Sequence, residues 1–159
     1  MPLKENYLTE KGDENFMGEF FNHVEKLPIL IRKLVESPKY RIDTLTEGKI
    51  KEILNESMPA KGVYLMYDKE VPMYVGRSKT LAQKIGTDER SLGEMQATVS
   101  KKIMKIESND FLTMKDARSY LFNNYNVKFI KMDDEVLRAM FVIYIATELS
   151  TPFNSFMET

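Results

Sequence analysis

The sequence KGVYLMYDKEVPMYVGRSKTLAQKIG, residues 61–86, decides the fold. Its first part, GVYLMY, is rich in β-branched and aromatic residues and predicts a strand at 62–67. DKEVP predicts a turn of about four or five residues and MYVG a second strand, so the two strands form a β-hairpin. SKTLAQKIG then predicts a short helix, with Ser78 or Thr80 near its N-cap and Gly86 at its C-cap.

Helices precede the hairpin in the sequence. Apolar residues recur at three- and four-residue spacing from Asp13, the expected N-cap, as far as Pro38. This pattern predicts a helix that Pro28 breaks or kinks. TLTEGKIKEILNES predicts a second, shorter helix that ends before Pro59.

One further strand and three more helices follow the hairpin. Residues 87–95 are polar and predict a loop, and VKFIKM at 127–132 alternates apolar residues with lysines, as a half-buried strand does. Asp133 and Asp134 precede the last helix, which Pro152 ends and whose almost continuous apolar character predicts a central buried helix. The segments that predict helices are ATVSKKIMKI, TMKDARSYLFNNY and EVLRAMFVIYIATEL.

These elements predict a mixed α/β (α+β) fold with a small, mostly antiparallel three-stranded sheet flanked by helices. Residues 60–159 form the predicted main domain, and residues 1–59 a helical N-terminal extension. A chain of 159 residues is long enough for a hydrophobic core, and 43% hydrophobic with 30% charged residues is typical of a globular protein. No apolar run approaches the roughly 20 residues of a membrane helix, and the N-terminus lacks the apolar core of a secretory signal.

Residue types limit the chemistry and the compartment. The chain has no cysteine, which excludes disulfides and thiolate zinc sites and agrees with a cytoplasmic protein. Its single histidine, His23, lies in the first predicted helix, far along the chain from the hairpin. A catalytic triad or a histidine metal cluster built on His23 would therefore lie apart from the hairpin, and His23 is interpreted as an ordinary helix residue.

The charge is unevenly distributed, although the net charge is only −1. Residues 77–131 carry 11 Lys/Arg against 6 Asp/Glu, whereas the rest of the chain carries 12 against 18. A basic segment on a nearly neutral protein can present a positive face to nucleic acid. The same charges are equally compatible with solvated helix surfaces.

Three segments, in this order, resemble the GIY-YIG nuclease family. They are the hairpin GVYLMYDKEVPMYVGRS, the segment LAQKI where the family has Leu-x-x-Arg, and LSTPFNSF, which is similar to the Pro- and Asn-containing end of the family's core. The resemblance covers residues 62–154. It implies a DNA endonuclease that depends on Mg²⁺ or Mn²⁺.

The resemblance also implies roles for particular residues. Tyr64 would be the base that activates the nucleophile, supported by Tyr74 on the neighbouring strand. Because a phenol has a pKa of about 10, it acts as a base only where cations stabilise its phenolate. Arg77 and Lys84 would clamp the phosphate, and Asn154 would fix the local geometry by hydrogen bonds. The implied substrate-binding residues are Gly62, Gly76 and Lys79.

The chain departs from the family pattern at the metal ligand. The family holds its metal through a glutamate on the last core helix, and Val142 occupies that position here. The sequence therefore predicts no metal ligand there, and Glu94 or Glu148 would have to reach the site to replace it.

Two more positions depart from the pattern on the basic side of the site. Lys84 stands where the family has arginine and so lacks the planar fork that binds phosphate with two parallel hydrogen bonds. Asp88 stands where many relatives have histidine. We therefore expect a member of the family with lost or weak catalysis, which binds DNA through residues 77–131 or docks on another protein. The alternative is an active Mg²⁺-dependent endonuclease that uses Tyr64 and a substitute acid.

Overall fold

The computed structural model describes residues 18–106 and 113–156. Within these ranges, four strands form one antiparallel sheet with helices on both faces, so the predicted mixed α/β class is confirmed. The strands are β1 (Tyr40–Arg41), β2 (Gly62–Asp68), β3 (Val71–Ser78) and β4 (Tyr125–Lys131), in the spatial order β1-β4-β2-β3. The helices are α1 (Gly18–Glu36), α2 (Glu47–Leu54), α3 (Leu81–Gln83), α4 (Thr98–Met104), α5 (Met114–Asn124) and α6 (Glu135–Glu148).

The hairpin of β2 and β3 forms as predicted, but its turn is tighter. Only Lys69 and Glu70 separate the two strands, and Lys69 adopts the left-handed conformation with φ 55°. Val71 and Pro72 pair with the end of β2 instead of belonging to the loop. Pro72 is tolerated because β3 is an edge strand. The N–H that a proline lacks therefore removes no hydrogen bond from the interior of the sheet.

The sheet has a fourth strand that the sequence did not predict. β1 is only two residues long and pairs with the outer edge of β4, where Tyr40 lies opposite Val127. A two-residue strand is too short to show an alternating pattern, which explains why only three strands were expected. β1 belongs to the predicted N-terminal extension, and buried residues of that part, such as Ile42 and Ile50, share a hydrophobic core with the hairpin.

The two faces of β2 enter two separate hydrophobic clusters. Because side chains alternate along a strand, Tyr64 and Met66 point to one face and Val63 and Leu65 to the other. Buried side chains from α2, α3, α4 and α5 join Tyr64 in the first cluster. Buried side chains from α1 and α6 join Val63 in the second cluster.

Three helices differ from their predictions. α1 is a single helix that contains Pro28, and its expected N-cap, Asp13, lies outside the described residues. α3 continues into a π-helical turn at Lys84–Asp88, so Gly86 lies inside this turn and is not a C-cap. The prediction that α6 is a central buried helix is wrong, because the helix has an open side on which Ile143 is 53% exposed. None of the helices in the described part of the chain combines the length and the apolar character that crossing a membrane requires.

Candidate functional site

The ring of Tyr64 lies across the hairpin, against Gly76. Gly76 is directly opposite Tyr64 on β3, and a Cβ atom at Gly76 would lie only 2.5 Å from the Cζ atom of Tyr64. At Gly62, a Cβ atom would lie 2.1 Å from the backbone oxygen of Ile130 on β4. Gly62 and Gly76, two of the implied substrate-binding residues, therefore leave room for the protein's own atoms.

The hydroxyl of Tyr64 contacts a carboxylate that the sequence analysis missed. Tyr64 Oη donates a hydrogen bond to Glu89 Oε2 at 3.3 Å, and Glu89 Oε1 accepts one from the backbone N–H of Val99 at 3.3 Å. Tyr64 is 1% exposed and Glu89 is fully buried. The carboxyl group of Glu89 thus links β2 to the first turn of α4.

The surroundings of this pair disfavour charge on both groups. Burial raises the pKa of Glu89 to about 7, although Lys84 and the backbone N–H of Val99 lower it. Burial, and next the Glu89 carboxylate, raise the pKa of Tyr64 well above its ordinary value. In this geometry Tyr64 is a hydrogen-bond donor, so the base role implied by the resemblance does not fit the arrangement.

Tyr74 lies beside Tyr64, as the hairpin predicted. The centroids of the two rings are 6.1 Å apart and the rings are tilted by 56°. Tyr74 packs against the same hydrophobic cluster as Tyr64. Burial, and next the charge of Glu89, raise the pKa of Tyr74 as well. The two tyrosines therefore form one aromatic group, and Tyr64 is the member whose hydroxyl contacts Glu89.

Lys84 lies at the edge of this group. Its Nζ donates hydrogen bonds to the backbone oxygen of Gln96 at 2.9 Å and to Thr98 Oγ1 at 3.3 Å. These bonds tie the π-helical turn to the start of α4. Lys84 also lowers the pKa of Glu89, so its charge acts on the buried carboxyl.

Arg77 and Lys84 are not brought together at Tyr64. Arg77 pairs with Val63 on β2, whose side chain belongs to the second cluster, whereas Tyr64 belongs to the first. The exposed guanidinium of Arg77 instead lines a cavity with Lys79 near the start of α6. Arg77 and Lys84 therefore do not form the implied phosphate clamp at Tyr64.

None of the positions considered for the metal ligand contacts Tyr64. Val142 packs against the second cluster, on the opposite face of the sheet from Tyr64. Glu94 and Glu148 are both exposed. The acid at the tyrosine is Glu89, in a polar stretch that was predicted to be a loop. Nothing in the local sequence distinguishes Glu89 from its acidic neighbours, because its burial depends on the π-helical turn before it.

The Mg²⁺ or Mn²⁺ implied by the resemblance does not fit this pocket. Mg²⁺ requires near-octahedral oxygen coordination and usually keeps several water ligands. Both oxygens of Glu89 already accept hydrogen bonds from the protein, and neither Glu89 nor Tyr64 is open to solvent. A hydrated cation would have to displace these bonds and open the core.

Asn154 fixes the local geometry by hydrogen bonds, as predicted. Its Oδ1 accepts from the backbone N–H of Val75 at 2.9 Å, and its Nδ2 donates to the backbone oxygen of Val75 at 2.9 Å. Thr151 Oγ1 donates to the same Oδ1 at 2.7 Å. The side chain of Asn154 therefore satisfies both backbone groups of one residue on the edge strand β3.

Replacing Asn154 by alanine is expected to lower the free energy of unfolding by about 2 kcal/mol, because both backbone groups of Val75 lose their partners. Urea titration followed by circular dichroism measures the change. Asn123→Ala is the matched control, since Asn123 is exposed on α5. Equal stability of Asn154→Ala and the wild type would contradict this role.

A basic surface lies next to the buried pair. Lys101 and Lys102 on α4 and Lys105 directly after its last residue, hereafter the α4 lysines, line an open cavity of about 350 Å³. Within the described residues, none of the α4 lysines forms an ion pair with an acid. The cavity also contains Thr98, which accepts a hydrogen bond from Lys84. The α4 lysines are therefore unpaired cations close to Lys84.

The fold and the site define a small antiparallel α/β domain with a buried tyrosine–glutamate pair beside a basic helix. Comparison of the chain with protein-family models, with curated proteins and with solved structures found no match in any of the three. Its function is therefore inferred from the residues and contacts described above.

Proposed function

We propose that the chain is a DNA-binding domain related to the GIY-YIG nucleases, with lost or weak phosphodiester cleavage. The observation that carries this proposal is the contrast between two neighbouring groups on one side of the sheet. The α4 lysines are open and unpaired with described acids, whereas Tyr64 and Glu89 are buried and hydrogen-bonded to each other. Because the chain has no cysteine, we assign this function to the cytoplasm.

The relation to the GIY-YIG family is supported by three features. Tyr64 and Tyr74 lie on adjacent strands of one hairpin and contact the same cluster. Gly76 allows the ring of Tyr64 to lie against β3. Asn154 holds that strand from beyond the last helix. These are the positions that carry the sequence resemblance.

DNA binding is supported by the charge and position of the α4 lysines. Phosphates attract lysines without regard to base sequence, and binding releases the counterions condensed on the DNA. The net charge of −1 means that attraction has to come from a local surface instead of the whole protein. The α4 lysines provide such a surface, and Lys84 adds a fourth positive charge next to it.

Weak or absent catalysis is supported by the state of the buried pair. A tyrosine that activates a nucleophile has to lose its proton, and burial together with the Glu89 carboxylate makes that loss unfavourable for Tyr64. A substrate phosphate also has to reach the hydroxyl, which is closed to solvent.

A second candidate function is an active Mg²⁺-dependent endonuclease. It is favoured by one observation: a carboxylate oxygen of Glu89 lies 3.3 Å from the hydroxyl of Tyr64, so an acid is present where a substitute ligand would be needed. This function requires the π-helical turn to move, exposing Tyr64 and releasing Glu89 from Val99.

Replacing all three α4 lysines by glutamine is expected to weaken DNA binding at least about tenfold, and to reduce the slope of log K against log salt by about 3, roughly one for each lost phosphate contact. Fluorescence anisotropy with a labelled duplex, measured at several salt concentrations, gives both quantities.

The control variant replaces Arg32, Lys33 and Lys49 by glutamine, which removes the same charge from exposed positions on α1 and α2. The control is expected to bind like the wild type. Equal loss of binding in both triple variants would contradict a specific role for α4, and no binding by the wild type at low salt would contradict the proposed function.

A further inference from the structure

A second basic cavity lies on the other face of the sheet from Tyr64. It has a volume of about 290 Å³ and lies between the end of β3 and the start of α6. It contains three cations and one acid. Its lining residues are Arg77, Ser78, Lys79, Glu135 and Arg138.

Arg138 is the unusual member of this group because its guanidinium is buried. Only 2% of the residue is exposed. Its Nη1 donates hydrogen bonds to the backbone oxygens of Met132 at 2.9 Å and Asp133 at 2.7 Å. Both hydrogen bonds that Arg138 donates to described residues come from Nη1, so Nε and Nη2 remain for a ligand.

The charge of Arg138 is not neutralised by a neighbouring acid. Among the described residues, no carboxylate forms an ion pair with Arg138, Arg77 or Lys79. Glu135, which is exposed, is the one acid among the lining residues. The three cations and this acid give the lining a net charge of two positive units. A buried cation without an anionic partner is unfavourable, and an anion bound in the cavity would remove this cost.

We propose that this cavity binds a phosphate oxyanion. The planar guanidinium of Arg138 offers two adjacent donors from inside the fold, a geometry that suits phosphate oxygens. Arg77 and Lys79 add two exposed cations at the mouth. The phosphate group is either a phosphodiester of a nucleic acid or free phosphate. Only the nucleic-acid source rests on the proposed function.

A purely structural role for Arg138 gives a different expectation. In that case Arg138 serves only to hold the β4–α6 connection through its two hydrogen bonds. Adding phosphate would then leave the NMR signals of Arg138 unchanged. Arg77 and Lys79 make none of these carbonyl bonds, so replacing them tests ligand binding without removing the anchor.

The test is a titration of the ¹⁵N-labelled full chain with inorganic phosphate, against chloride at matched ionic strength. The NMR signals of the arginine Nε–Hε groups report on Arg138 and Arg77 directly. We expect a saturable shift of the Arg138 signal, roughly tenfold weaker binding in Arg77→Ala/Lys79→Ala, and tighter binding in Glu135→Gln. The charge-matched control Arg32→Ala/Lys33→Ala is expected to behave like the wild type. An Arg138 signal that does not respond to phosphate would overturn the inference.

Oligonucleotides then distinguish the two sources of the phosphate group. If a duplex competes with phosphate for the Arg138 signal, the site binds the DNA backbone. If phosphate binds but no DNA binds anywhere, the site takes free phosphate and the proposed function fails alone. If DNA binds through the α4 lysines while phosphate leaves Arg138 unchanged, the phosphate site fails and the proposed function stands.

Discussion

Replacing Glu89 by glutamine is expected to abolish a pH-dependent part of the stability that amounts to about 3 kcal/mol, because the pKa of Glu89 is raised from 4.5 to about 7 by burial. Glutamine has nearly the same shape and keeps a carbonyl oxygen for one of the two donors, Tyr64 or Val99. It cannot ionise, so the variant carries no cost of a buried negative charge at high pH.

The direction of this effect follows from where the proton binds more tightly. Between pH 4.5 and about 7 the folded chain holds a proton on Glu89 that the unfolded chain has released. The stabilisation from the protonated group is therefore complete below pH 4.5 and is lost as the pH rises through about 7. At higher pH the glutamine variant is expected to be at least as stable as the wild type.

Urea unfolding at about pH 5 and about pH 8 measures this difference, since these values lie on either side of the folded-state transition. Relative to Glu89→Gln, the wild type should lose stability between the two conditions. Glu94→Gln is the control, because Glu94 is exposed in the same polar stretch and should leave the pH dependence of the wild type unchanged. Parallel pH dependence of the wild type and Glu89→Gln would show that Glu89 is not a buried, proton-binding group.

The parts of the site that could be predicted are those with a local pattern. The β-branched and aromatic runs around Tyr64 and Tyr74 predict the hairpin, and its geometry brings the two rings together. Asn154 was predicted from the resemblance to make structural hydrogen bonds, and it binds both backbone groups of Val75.

The direction of Arg77 was also contained in the sequence, although the prediction did not use it. Side chains alternate along a strand, so a residue that follows Gly76 directly has to point away from the face of Tyr64. Applying this rule to β3 would have separated Arg77 from Lys84. The same rule places Arg77 on the face of the sheet where the cavity with Arg138 lies.

Glu89 could not be predicted from local sequence. It lies in a polar stretch with other acids, and the π-helical turn at Lys84–Asp88 determines which of them enters the core. Such a turn adds one residue to the helical repeat and has no reliable composition of its own. The side of the sheet on which Val142 lies could not be predicted either. In an almost wholly apolar helix, tertiary packing decides which face of the helix contacts the sheet.

The Val142→Glu variant is expected not to gain DNA cleavage, although it places an acid where the GIY-YIG nucleases that the sequence resembles hold their metal. Val142 packs against the second cluster, so the new carboxylate would be on the opposite side of the sheet from Tyr64 and Glu89. Burying it there should lower the stability by about 1–3 kcal/mol. Cleavage by Val142→Glu that the wild type lacks would mean that α6 can reach the tyrosines.

The most direct test of the central claim is to incubate the wild type with plasmid DNA and Mg²⁺ or Mn²⁺ under conditions where binding is measured in parallel. Tyr64→Phe tests the hairpin tyrosine, and Tyr144→Phe on α6 is its matched control. We predict that the wild type binds the DNA and cuts it weakly or not at all. Efficient cleavage by the wild type and by Tyr144→Phe, lost in Tyr64→Phe, would contradict the proposed function and establish the endonuclease in its place.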